Sequence, residues 1–228
     1  AGAGANVVIC ANNAASLKKI AEECDALGGG KTHVVAKRPS SEENCATIVN
    51  AAVDRFRSVD ILVVASGQNK VAKIVDQKAE DFLDVMDANV TQSWLMARAA
   101  ARQMLKQGKG SIVNVASISG LFGMPTAHTY CAAKGGVINL VRAMANCYGN
   151  QGVRANAIAP VARTRLTEAS PGSADVVKAP ADPDALDENV SRAYVEWARE
   201  RIEERVPAYR GKQDAGTLVG MYTLTPDA

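Results

Sequence analysis

Residues 111–160 read SIVNVASISGLFGMPTAHTYCAAKGGVINLVRAMANCYGNQGVRANAIAP. An apolar, β-branched run, Ser111–Ala116, gives way to a helical pattern from Thr129 to Gly149, and a second apolar run follows at Arg154–Ala159. Strand, helix and strand at this spacing are the repeating unit of an α/β fold with a parallel sheet. The same alternation extends towards the N-terminus. Asn6–Ala11 predicts a strand, and Ala14–Leu27 a helix stopped by Gly28-Gly29-Gly30. Thr32–Ala36 predicts a second strand, followed by a helix over Glu42–Phe56 with Ser41 as its N-cap. Ile61–Ala65 is apolar throughout, which predicts a parallel strand buried on both faces. Ala79 to Gln107 reads as one long helical region ended by Gly108.

Beyond Pro160 the composition changes. Thr167–Asp184 is rich in Pro, Ala, Ser and Asp and predicts a mobile loop. Asp182-Pro183 then resembles a helix start, and Leu186, Val190, Ala193, Trp197 and Ile202 recur at near-helical spacing up to Pro207. No internal repeat or second domain is evident. The expectation is a single domain over 1–228, with 165–207 as a loop and helix inserted over the substrate side.

A length of 228 residues fits one domain, and 47% hydrophobic with 22% charged residues excludes a disordered chain. Lys and Arg number 26 against 24 Asp and Glu, so the net charge of +2 gives no footprint for nucleic acid or an anionic membrane. The apolar runs are too short to span a bilayer, and no basic-then-apolar leader opens the chain. Five cysteines, an odd count without CxxC spacing, fit reduced thiols in a cytoplasmic protein. The two histidines, His33 and His128, stand far apart, so no metal site is expected. Two glycine motifs mislead. Gly30-Lys31-Thr32 lacks the earlier glycine of a phosphate loop, which is Asp25 here, and Gly2-x-Gly4 has Val7 at its third glycine position. Each also precedes a strand, whereas a phosphate loop follows one.

The chemistry concentrates after Ser111–Ala116. Ser117 ends that strand, Tyr130 stands thirteen residues later at a helix start, and Lys134 is four residues beyond it. The i,i+4 spacing puts Tyr130 and Lys134 on one helix face. A free tyrosine, with a pKa of about 10, is a poor base at neutral pH. An ammonium one turn away favours its phenolate and lowers that pKa. Tyr130 is thereby suited to exchange a proton with an alcohol or carbonyl oxygen that Ser117 holds by a hydrogen bond.

Ile112–Gly120 (IVNVASISG), Met86–Val90 (MDANV) and Val153–Pro160 (VRANAIAP), taken with Ser117, Tyr130 and Lys134, resemble the short-chain dehydrogenase/reductase family, of the kind that includes 3-oxoacyl-carrier-protein reductases. The resemblance covers Ala3 to Thr164. It implies a Rossmann-like doubly wound parallel sheet, an NAD or NADP cofactor, and a catalytic tetrad of Asn89, Ser117, Tyr130 and Lys134. In this reading Tyr130 is the acid/base, Ser117 orients the substrate oxygen, Lys134 tunes Tyr130 and contacts the nicotinamide ribose, and Asn89 supports a water relay. The cofactor-binding positions implied are Asn12, Ala65, Gly67, Tyr130, Lys134, Pro160 and Thr164.

The cofactor side departs from the family pattern. The family's first strand and its glycine-rich turn are absent from the sequence, which opens at the entry to the second strand, and Leu224–Ala228 stops before the usual last strand. Asn12 and Asn13 stand where an acidic residue selects NAD or a basic one NADP, so neither dinucleotide is favoured. Lys37 replaces an Asp expected beside the adenine, Val64-Ala65-Ser66-Gly67 replaces Asn-Asn-Ala-Gly, and Val161 replaces a Gly. Two explanations stand: segments of the protein lie outside the sequence, or the pocket has degenerated. The first leads to an enzyme interconverting a secondary alcohol and a ketone. The second leads to a non-catalytic subunit that scaffolds an active homologue.

Leu121, Phe122 and Met124, between Ser117 and Tyr130, predict an apolar wall and a substrate with apolar bulk. Cys131 reads as a small buried filler. Trp94 and Met96 lie on a helix that the resemblance implies in subunit pairing, as does the Tyr130–Tyr148 helix. A homodimer or homotetramer is expected, and a hetero-oligomer with a homologous subunit fits equally well.

Overall fold

The computed structural model describes residues 3–160 and the backbone of Thr223–Leu224. Thr164 and the predicted 165–207 insertion, with Tyr194 and Trp197, lie outside the described residues. Strand β1 (Val7–Cys10) pairs in parallel with β2 (Thr32–Val35), Val7 opposite Thr32. Helix α1 (Ala14–Ala26) joins them. The Asn13 side chain caps it by accepting from Ser16 N at 3.0 Å, and Gly28 and Gly29 end it at φ 67° and 85°. Helix α2 (Glu42–Phe56) starts as expected at Ser41, whose Oγ accepts from Asn44 N at 3.1 Å.

The second sheet places β3 (Ile61–Val64), β4 (Gly110–Val115), β5 (Val153–Ile158) and β6 (Thr223–Leu224) in that order. β3, β4 and β5 are parallel, with Ile61 opposite Ser111 and Gly110 opposite Val153. Helices α3 (Ala79–Met86), α4 (Gln92–Gln107) and α5 (His128–Tyr148) complete the described elements of regular length. The core lies where α2, α4 and α5 meet the sheet, around Ile48, Met96, Met104, Ile112, Val137, Val141 and Val153. Among the described residues no aromatic ring belongs to its buried cluster; Tyr148 packs at the margin. Aliphatic burial therefore carries the hydrophobic stabilisation, as the aromatic-poor composition requires.

Two expectations are corrected. The region from Ala79 to Gln107 is not one regular helix: between α3 and α4 the chain takes a π-helical turn, Asp87–Thr91, where Gln92 N bonds to Asp87 O. One extra residue enters the turn without breaking the helix, so the apolar periodicity on either side gives little sign of it. β3 is not buried on both faces. Val64 is 6% exposed, whereas Ile61 and Val63 are 65% and 58% exposed. β3 bonds only to β4, β1 only to β2, and no described element covers the Ile61–Val63 face. The C-terminal residues add a two-residue strand, which is not the family's usual last strand. Thr223–Leu224 pairs with β5, Leu224 opposite Ala157, but runs antiparallel, so the sheet is not wholly parallel.

Candidate active site

Parallel strands leave a crevice beyond their carboxyl ends, where α/β sheets bind ligands. Ser117 follows β4 and opens a single 3-10 turn, Ile118–Gly120, with its Oγ accepting from Ser119 N at 3.1 Å. Tyr130 lies in the first turn of α5, and Lys134 one turn further on. The Lys134 side chain is almost wholly buried, 4% exposed, and its Nζ donates to Val115 O at 2.7 Å. The same Nζ stands 5.6 Å from the centre of the Tyr130 ring. Burial holds the Lys134 pKa down at about 8.

Burial pushes the Tyr130 phenol above its ordinary pKa; the adjacent Ser117 side chain acts against this, and Cys131 adds a smaller upward push. The resemblance implies that Lys134 depresses the Tyr130 pKa; in this arrangement Lys134 is not among the groups that shift the phenol. Desolvation dominates at the phenol, and the lysine is itself desolvated and bonded to a carbonyl. The raised pKa keeps the Tyr130 phenol protonated at neutral pH.

Asn89 occupies the π-helical turn, fully buried. Its Nδ2 donates to Gln68 O and Val85 O, both at 2.8 Å, while its Oδ1 has no partner. A Cβ on Gly67 would lie 2.5 Å from Asn89 Oδ1 and 3.4 Å from Lys134 Nζ. Asn89, Gly67 and Lys134 thus converge on one point, with an unclaimed acceptor beside an ammonium that has donors to spare. Ala65 and Gly67 are exposed beyond the end of β3, and Pro160 is half-buried beyond β5. Asn12 is exposed past β1, in the other sheet, and is not brought into this cluster.

Sequence reasoning missed the Val115 and Gln68 carbonyls, which carry no side-chain signal. It also missed Asn114. That residue shares the inward face of β4 with Ile112, is fully buried, and neither of its amide atoms has a partner. A polar residue at an inward strand position is the signal that points to it. Cys131, expected as a buried filler, is partly exposed, and its Sγ accepts from Met124 N at 3.3 Å.

The donor set fits one half of a nicotinamide dinucleotide. Spare Lys134 donors, the unpartnered Asn89 Oδ1 and the exposed backbone at 65–67 suit ribose hydroxyls, which both give and accept hydrogen bonds. For the pyrophosphate, no glycine-rich turn linking a strand to a helix is present among the described residues. The N-terminus of α1 is occupied by the side chain of Asn13. Among the described residues no group of three His, Cys, Asp or Glu side chains is placed to hold a metal.

The model of the family described as short chain dehydrogenase matches residues 1–172. An uncharacterised oxidoreductase of Mycobacterium tuberculosis is 41% identical over 171 residues, covering 74% of this chain and 62% of the relative. A 3-oxoacyl-[acyl-carrier-protein] reductase of Synechocystis is 33% identical over 132 residues, 58% of this chain and 53% of that protein. The chain thus spans less than two thirds of the length of these relatives. Among solved structures, NAD+-bound xylitol dehydrogenase aligns with a TM-score of 0.67 at 30% identity, covering 70% of this chain and 61% of the other.

Proposed function

Because the chain belongs to the short-chain dehydrogenase family, we propose that it interconverts a secondary alcohol and a ketone, with NAD or NADP as its cofactor. The observation that carries this reading is the convergence of Ser117, Tyr130 and a buried Lys134 at the carboxyl edge of β4. Keeping a lysine 4% exposed costs stability. A scaffold without catalytic duty has no use for that cost, which argues against the non-catalytic alternative.

In the direction of reduction, the Tyr130 hydroxyl gives its proton to the carbonyl oxygen while Ser117 holds that oxygen. A nicotinamide dinucleotide, when bound, would supply the hydride for this reduction. Lys134, with a pKa of about 8, titrates close to neutral pH and serves to re-protonate Tyr130. Asn89, whose free Oδ1 and Lys134 Nζ both flank Gly67, links that lysine to water. Lys134 and the exposed backbone of Ala65 and Gly67 would hold the nicotinamide ribose, with Pro160 at the edge of the same crevice.

Leu121, Phe122 and Met124 are 43%, 69% and 37% exposed beside Ser117 and Tyr130, which supports a substrate with apolar bulk. A homo-oligomer is proposed through α4, where Trp94 is 45% exposed and lies under the Arg98 guanidinium at 5.3 Å. No described helix is long and apolar enough to cross a membrane, and a cytoplasmic location is part of the proposal.

Titration with NADH and NADPH, followed by calorimetry, tests the cofactor: saturable one-per-chain uptake is expected, and its absence in folded protein would refute the reading. Tyr130→Phe removes the proton donor. Ketone reduction is expected to fall by at least about a hundredfold with dinucleotide affinity within about twofold; wild-type turnover in that variant would end the mechanism.

A further inference from the structure

The start of α5, which carries Tyr130, is not secured by its own sequence. Ala127, at the N-cap position, has φ −119° and ψ 31° and no side chain able to cap; the first turn holds no acidic residue. Immediately before it, Thr126 sits at φ 60°, a left-handed conformation that a β-branched residue adopts only under external constraint. A proton donor, however, must be held within a fraction of an ångström of its productive position.

The constraint comes from the strap between β3 and α3. Ala72 N donates to Thr126 O at 3.0 Å, and His128 Nε2 lies 2.9 Å from Ala72 O. Thr129 Oγ1 donates to Gln77 Oε1 at 2.6 Å, and Gln77 Nε2 donates to Lys70 O at 3.2 Å. Thr129 is 3% exposed, so water does not replace the amide oxygen if its hydroxyl is removed. The strap is itself anchored. Lys70 Nζ bonds to Asp81 Oδ1 at 2.6 Å and Asp84 Oδ2 at 2.7 Å on α3, and Gln68 O receives Asn89 Nδ2.

We propose that Thr129 and Gln77 are positioning residues: their bond ties the uncapped first turn of α5 to the strap and fixes Tyr130 beside Ser117 and Lys134. The proposal rests on the dehydrogenase reading above for its catalytic consequence. One strap then serves two site residues, receiving Asn89 at residue 68 and fixing the helix start of Tyr130 at residue 77.

The test compares the full wild-type chain with Thr129→Val, Gln77→Leu and Thr129→Ser. Amide hydrogen exchange is read in the first turn of α5, and turnover with an aliphatic methyl ketone and NADH or NADPH. Thr129→Val and Gln77→Leu are expected to speed first-turn exchange about tenfold and to lower kcat about tenfold, with KM for the dinucleotide within about twofold. Thr129→Ser, which keeps the hydroxyl, is expected to match wild type in both readouts. Unchanged exchange in both disrupted variants overturns the proposal, as does unchanged kcat despite faster exchange, or a serine variant as impaired as the valine one. If Thr129→Val does not fold, the partly exposed Gln77 site decides alone. A wild-type chain that binds dinucleotide but reduces no ketone overturns the dehydrogenase reading instead, and exchange alone then upholds or overturns the anchoring role.

Discussion

Burial of Lys134 is a cost to the stability of the fold. Its pKa of about 8 lies below the ordinary 10.5 because burial disfavours the ammonium. The native state therefore releases this proton more readily than the unfolded chain. Below pH 8 both states hold the proton and the burial cost is present in full. As pH rises from 8 to 10.5 the unfolded chain binds the extra proton, so stability rises with pH across that window. The difference corresponds to about 3 kcal/mol. Tyr130 works in the opposite sense above pH 10, and the thiols of Cys10 and Cys45, whose pKa burial raises from 9, do so above pH 9, so the measurement belongs below pH 9. Denaturant unfolding is expected to show stability increasing from pH 8 to 9 in wild type and no such rise in Lys134→Met, with the variant the more stable at pH 7; a rise that persists in the variant would assign it to another group. The pairing of Lys134 with Tyr130 was legible from i,i+4 spacing alone. Its burial and its bond to Val115 O were not, because both depend on where β4 runs relative to α5.

Elements were legible wherever a local signal sets them: Ser41 capping α2, Gly28 ending α1, Gly108 ending α4 at φ 68°. The π-helical turn at Asp87–Thr91 was not. Its cause is tertiary: Asn89 Nδ2 is held by Gln68 O on the strap and Val85 O on α3, and Gly67 leaves the space that Asn89 fills. Gly67→Ala places a methyl 2.5 Å from Asn89 Oδ1, and Asn89 is tied on its other side, so the turn or the strap must shift. A cost of about 1–3 kcal/mol is expected in denaturant unfolding. In an Asn89→Ala background the same substitution is expected to cost little, a coupling that a double-mutant cycle reads directly. Equal costs in the two backgrounds would place the clash elsewhere. The glycine was singled out from the sequence as a cofactor contact; the structure gives it a prior duty, making room for the asparagine.

For the whole molecule, the order of strands and helices was legible from periodicity, but which faces become covered was not. An apolar run such as ILVV identifies a strand without naming its neighbours. Among the described residues β3 has β4 on one edge and no strand on the other, with Ile61 and Val63 facing outward while Val64 faces the core. An uncovered apolar strand with a free edge is a template for pairing with another chain. The 228-residue chain is therefore expected to form higher oligomers as its concentration rises, through this edge and separately from any pairing through α4. Val63→Lys puts a charge on the exposed face without disturbing the core and is expected to suppress those species in sedimentation velocity, leaving a discrete dimer or tetramer in place. Val64→Lys, at 6% exposure, is expected to unfold the chain instead. If Val63→Lys leaves the concentration dependence unchanged, the free edge of β3 is not where the chains meet, and the exposed α4 face around Trp94 becomes the surface to charge next.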